Sequence, residues 1–220
     1  MVELITGLRP DDVRANLEQV RSEIAGTGRD PDEVQILAAV KYVPVEELEV
    51  LAQAGLELLG ENRAQDLVAK AEAFPGVFTW DFIGHLQSRK VRQVLPHVRY
   101  IETVASDSAL KQLGRHGAPS TEVLVEVNVA GEEGKSGIAP AELPAFLERC
   151  PVRVVGLMTM PPLAPEPEAN RRHFAALREL AAEHALPQLS MGTSQDYVVA
   201  VEEGATIVRL GTSLYRSGAS

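Results

Sequence analysis

Strand-like and helix-like segments alternate along almost all of the 220-residue chain, joined by short connections. That alternation implies parallel strands linked by right-handed crossovers, because an apolar strand and an amphipathic helix bury their faces together only in that arrangement. Strands are predicted over 35–40, 57–60, 79–83, 99–104, 122–129, 153–157, 188–191 and 206–210. Helices are predicted over 45–54, 64–74, 88–95, 107–115, 141–148, 168–185 and 195–203. The clearest strand is the fifth, where Val123, Val125, Val127 and Val129 alternate with Leu124, Glu126 and Asn128. Ahead of the first strand, Val13, Leu17, Val20 and Ile24 repeat at helical spacing behind Pro10-Asp11-Asp12, which marks a helix over 10–25. Asp107 is read as the N-cap of the helix that follows the fourth strand.

Eight strands of this kind close a single α/β barrel of the (β/α)8 TIM type, the extra N-terminal helix standing in for the missing eighth. An open, doubly wound sheet is the alternative, but it carries a glycine-rich first turn that is missing after Val40. The length suits one domain over 1–220. A net charge of -10 argues against general affinity for nucleic acid or anionic membranes. The local basic run Arg89-Lys90-Val91-Arg92 could serve an anion, although a solvated helix face is its stronger reading. The one cysteine, Cys150, excludes an internal disulfide and a multi-cysteine metal site, and is read as a half-buried, inert thiol. Residues 1–6 show no leader pattern, and no stretch reaches the roughly 18 apolar residues of a membrane span. A cytoplasmic protein is expected.

In such barrels, chemistry gathers at the C-terminal ends of the strands. Those positions hold Lys41, Glu61-Asn62-Arg63, Gly84-His85-Leu86-Gln87, Asn128, Met158-Thr159-Met160, Gly192-Thr193-Ser194 and Arg209-Leu210-Gly211-Thr212. The loops after strands seven and eight are rich in glycine and hydroxyls, the chemistry of a phosphate site. Ser194 reads equally well as the N-cap of the next helix. Lys41 ends an apolar strand, where partial desolvation would favour a neutral amine able to form a Schiff base. A lysine there is otherwise a snorkelling surface residue. A phosphate loop facing a reactive lysine points to a ligand with both an aldehyde and a phosphate.

Six motifs in order support a family assignment. They are Ala39-Val40-Lys41, Leu59-Gly60-Glu61-Asn62, Phe82-Ile83-Gly84-His85-Leu86-Gln87, Gly156-Leu157-Met158-Thr159-Met160, Ser190-Met191-Gly192-Thr193-Ser194-Gln195-Asp196 and Val208-Arg209-Leu210-Gly211-Thr212. From about Ile36 to Tyr215 the chain resembles the pyridoxal phosphate homeostasis proteins (the YggS/PROSC type), relatives of the alanine racemase N-terminal barrel. The resemblance implies that pyridoxal 5′-phosphate (PLP) is held as an internal aldimine on Lys41. Its phosphate would lie between Ser194 and the backbone of Gly211 and Thr212, with Arg209 beside the pyridine nitrogen. Asn62, His85 and Met191 would line the pocket. The chain departs from the family at Val40, often a hydroxylated residue there, and at Thr193, often methionine.

Arg209 carries a consequence of its own. A guanidinium only donates, so a ring nitrogen beside it stays unprotonated and makes a weak electron sink. Alternatively Arg209 pairs with a rim carboxylate such as Glu61. The expectation is a monomeric protein that buffers PLP or delivers it to PLP-dependent apoenzymes, with no catalytic residue, no metal and little turnover. The rival is an amino-acid racemase, which needs a second acid/base on the face opposite the lysine. Alanine racemases draw that tyrosine from a C-terminal domain, and neither Tyr197 nor Tyr215 is expected to replace it. A sugar-phosphate enzyme is the third reading, with Glu61 the evident acid/base.

Overall fold

The computed structural model describes residues 4–216. Residues 1–3 and 217–220, which include part of the predicted 1–220 domain and of the 1–6 segment read for a leader pattern, lie outside the described residues. The strands are β1 (Gln35–Ala39), β2 (Leu58–Glu61), β3 (Thr79–Phe82), β4 (Tyr100–Val104), β5 (Glu122–Glu126), β6 (Arg153–Met158), β7 (Gln188–Thr193) and β8 (Ile207–Leu210). They form a closed parallel barrel in chain order, with β8 returning to pair with β1 through Leu37 opposite Arg209 and Ala38 opposite Leu210. The helices are α1 (Pro10–Gly26), α2 (Leu48–Gln53), α3 (Ala64–Ala73), α4 (Val91–Val94), α5 (Asp107–His116), α6 (Leu143–Arg149), α7 (Arg171–Glu183) and α8 (Tyr197–Glu202).

The main core fills the layer between barrel and helices. Val123 and Val125 of β5 face it, together with Leu51, Leu67, Leu113, Phe174 and Leu177 from the helices. The alternate residues of the strands turn into the barrel, as the two-residue period requires. Helix α1 packs against α2 and α8. Its Asn16 Nδ2 donates to the Leu214 carbonyl at 3.1 Å, and Arg29, just beyond its end, reaches the Val201 carbonyl at 3.3 Å. It thus covers the β8–β1 seam, where the predicted stand-in for an eighth helix belongs.

Several predicted elements shift. Ser106, not Asp107, caps α5: its hydroxyl accepts the Ala109 amide at 3.2 Å. The fifth strand ends at Glu126, and Val127 forms only an isolated bridge to Ile138. The helix predicted over 88–95 is one α-turn flanked by 3-10 turns, Ser88–Lys90 and Leu95–His97, because Pro96 cannot continue an α-helix. The seventh strand runs on to Thr193. Gly192 allows the chain to turn there, with φ of 92° and its missing Cβ leaving room for Ala200.

Candidate functional site

The mouth of the barrel is assembled by the strand ends. Closure of β8 on β1 brings Gly211 against Ala39, with the site of a Gly211 Cβ 3.9 Å from the Ala39 carbonyl oxygen. Lys41 follows two residues later. Its side chain is exposed, with Nζ 4.8 Å from the centre of the Tyr42 ring. This corrects the expectation of a desolvated amine: the strand beneath Lys41 is apolar and buried, but the amine itself faces solvent.

Ser194 is the hub of the β7–β8 side. Its Oγ accepts the amides of Gly211 at 3.2 Å and Ser213 at 3.3 Å, and shares a hydrogen bond of 2.9 Å with the Ser213 hydroxyl. It does not cap α8, so that reading is overturned. Helix α8 begins later, and Asp196 takes the Thr193 amide at 2.7 Å and its hydroxyl at 3.0 Å. Thr212 is exposed, and its amide has no partner among the described residues. Hydroxyls and amides gathered here are donors of the kind that a phosphate ester requires.

Arg209 enters the barrel rather than the rim. Its Nη1 donates to Ser190 Oγ at 2.6 Å, and its Nη2 to the Thr159 carbonyl at 2.8 Å and Met160 Sδ at 2.9 Å. The carboxylate it faces is Glu102, 4.0 Å away on the opposite side of the barrel. Pairing with Glu61 is excluded, because Glu61 is wholly buried and bound to Lys70 Nζ at 2.5 Å. The same Lys70 amine donates to the Val40 carbonyl at 2.6 Å, while Glu61 Oε1 accepts the Asn62 amide at 2.6 Å. The Glu61–Lys70 pair thereby ties the end of β1 to the end of β2. So engaged, Glu61 is poorly placed as a general acid/base for a ligand at the mouth.

The other expected pocket residues separate. Asn62 and His85 share a cleft on the β2–β3 side. Gly84, just before His85, lies against the Asn62 backbone, where a Cβ would stand 2.0 Å from the Asn62 carbonyl oxygen. The Met191 side chain is fully buried in the core between barrel and helices and does not line the mouth. Tyr197 donates its hydroxyl to Glu23 of α1, and Tyr215 bonds the Ala39 carbonyl at 3.3 Å. Burial raises the pKa of both phenols. Neither hydroxyl stands free as a second acid/base.

The strand termini did not reveal Glu102. It is completely buried, its Oε2 accepting the Ser190 hydroxyl at 2.6 Å and its Oε1 left without a partner. Burial and then the neighbouring Asp81 push its pKa up to about 8, against the opposing pull of Arg209. Burial thereby biases Glu102 toward its protonated form. Its signal in the sequence is a glutamate inside an apolar strand, Tyr100-Ile101-Glu102-Thr103-Val104. Among the described residues no group of His, Cys, Asp and Glu is placed to hold a metal, and no helix is long and apolar enough to cross a membrane.

A closed eight-stranded parallel barrel flanked by helices is the fold of the alanine racemase N-terminal domain. The family "Alanine racemase, N-terminal domain" matches residues 8–218, and the chain belongs to it. Pyridoxal phosphate homeostasis proteins are close in sequence. The one from Aquifex aeolicus is 39% identical over 213 residues, covering 90% of this chain and 93% of that protein. Its namesake in Escherichia coli K12 is 35% identical over 228 residues, covering 93% and 96%. PipY of Synechococcus elongatus, solved with PLP bound, superposes with a TM-score of 0.80 at 31% identity, covering 93% of this chain and all of PipY. Alanine racemase from Corynebacterium glutamicum shares the fold, with a TM-score of 0.73 at 14% identity over 63% of its own length.

Proposed function

We propose that this protein binds PLP covalently through Lys41 and serves PLP homeostasis, holding and releasing the cofactor with little or no turnover. The observation that carries the reading is the β8–β1 closure, which brings Gly211, whose amide donates to Ser194, against Ala39, two residues before Lys41. The kinship with PLP homeostasis proteins and with PLP-bound PipY supports it. When bound, PLP supplies an aldehyde carbon that condenses with amines and a conjugated ring that withdraws electrons.

The protein's own residues govern how such a ligand is held and what it can do there. Ser194 orders the Gly211 and Ser213 amides, and together with the Thr212 amide they would hold a phosphate without a cationic side chain. Arg209, held by three acceptors, only donates, so a ring nitrogen beside it would stay unprotonated and would withdraw electrons weakly. The exposed Lys41 leaves the reacting carbon open to an incoming amine or apoenzyme, as delivery requires. Residues 1–220 would act as one monomeric unit in the cytoplasm.

Borohydride trapping tests the reading. Protein mixed with PLP should absorb at roughly 420 nm, and reduction should fix the label on the Lys41 peptide. A label on Lys90 or Lys135 with Lys41 unmodified would refute it. Solvent deuterium exchange at Cα of alanine should be slow, because Tyr197 and Tyr215 are both engaged elsewhere. Racemisation at about 1–10³ s⁻¹ would make the protein an enzyme instead.

A further inference from the structure

A cleft of about 580 Å³ opens at the mouth between the loops that follow β2 and β3. Arg63 and the first turn of α3 form one wall, and Arg89 and Lys90 form the other. No carboxylate lines it. Arg89 Nε is held by Gln87 at 3.1 Å and Lys90 Nζ by Gln93 at 3.2 Å, both neutral amides. Arg63 meets Asp66 only at 3.8 Å, with both side chains exposed, a contact of small value.

Several arginines elsewhere on this surface are closely paired, although Arg9 and Arg29 meet their carboxylates only at 3.7 and 3.8 Å. Arg14 pairs with Asp11 at 2.8 Å, Arg153 with Glu122 at 2.7 Å and Arg171 with Glu168 at 2.5 Å. What distinguishes the cleft, in a chain of net charge -10, is that three loosely paired cations converge on one concave lining that holds no carboxylate among the described residues. The ten-residue helix α3 adds to it. No side chain caps its first turn, so its free amides add positive potential at one wall, offset in part by Asp66 in the same turn and by Glu61 on the Asn62 and Arg63 amides. The volume lies within the range of small-ligand sites, roughly 300–1,000 Å³.

We propose that this cleft, which takes in Asn62 and His85, binds a small organic phosphate monoester in addition to the ligand held at Lys41. Its near-dianionic phosphate, about -1.5 to -2 at neutral pH, matches the cations and the helix end, where a single carboxylate would leave most of that charge uncompensated. Gln65, Gln87 and Gln93 offer both donors and acceptors to the organic part. The basic run at residues 89–92, which reads in the sequence as a solvated face, thus supplies one wall of a site.

Amide-resolved NMR titration of the full chain with glycerol 3-phosphate tests this. Shifts are expected at residues 63–65 and 87–90, alongside any at 194 and 211–213. The double variant Arg89→Gln, Lys90→Gln should weaken the cleft response about tenfold or more while leaving the 194 and 211–213 response unchanged. Both side chains lie near the surface, so the fold should survive, and an unchanged spectrum outside the cleft checks that. Shifts confined to 194 and 211–213 would overturn the proposal. So would an unchanged affinity in the double variant. An equal response to sodium acetate at matched ionic strength would reduce the cleft to a general cationic patch and overturn it too.

Discussion

The two buried layers of this barrel are built from opposite chemistry. Between strands and helices, Leu51, Leu67, Leu113 and Phe174 are all fully enclosed in an apolar core. Inside the barrel, Asp81, Glu102, Glu126, Ser190 and Arg209 are buried too, beside Leu37 and a small cluster of Leu124, Val155 and Met158. Ser190 and Arg209 meet Glu102 from strands far around the ring, so their contacts cross the lumen. The outer layer can be specified by hydrophobicity alone. The inner one is held by a chain of complementary groups, from Arg99 on Asp81 at 2.5 Å to Arg209 on Ser190. An apolar shell secures the fold, leaving the lumen free to be polar beneath the mouth.

The largest effect should come from the outer layer. Phe174→Ala should cost about 3–5 kcal/mol in urea unfolding, the transfer loss plus a cavity. If it cost less than Ser190→Ala, the division of labour between layers would be wrong. Ser190→Ala removes the hydroxyl between Glu102 and Arg209, and should cost about 1–3 kcal/mol by the same measurement.

Glu102→Gln sharpens the contrast through pH. Because burial raises the glutamate from 4.5 to about 8, its favourable contribution is complete below 4.5 and is lost as pH rises through about 8. Thermal melts should show the native protein losing stability over that window relative to the Gln variant, and parallel curves would mean that Glu102 is charged throughout. Ser194→Ala should weaken PLP binding by about 1–2 kcal/mol while barely affecting pyridoxal, which lacks the phosphate. Smallest of all, Arg153→Ala breaks an exposed pair with Glu122 and should change stability by about 0–1 kcal/mol.

The barrel was legible in the sequence because its outer layer follows the two-residue and 3.6-residue periods, as Val123, Val125 and the α1 repeat illustrate. Lys41, Ser194 and Gly211 were legible as positions, since strand ends converge at the mouth. The polar lumen was not. Glu102 and Ser190 look unremarkable until closure sets them 2.6 Å apart, 88 positions apart in the chain. The direction of Met191 was missed for a related reason: it follows Ser190, and when Ser190 points inward its neighbour must point out. Lys70 escaped because a lysine in an amphipathic helix reads as solvated, and only the tertiary structure places it under Val40 and Glu61.

The seam between β8 and β1 also governs how the molecule assembles in time. Tyr215 reaches Ala39 across 176 positions of sequence, whereas most neighbouring strands are joined by a single helical crossover. Loop-closure entropy delays so distant a contact, and topologies rich in them fold slowly. The last strand pair to form should therefore be the one that brings Gly211 and its partner Ser194 against the end of β1. Refolding monitored by intrinsic fluorescence should run ahead of recovery of PLP absorbance, because a nearly complete barrel that has not yet closed still lacks its ligand site.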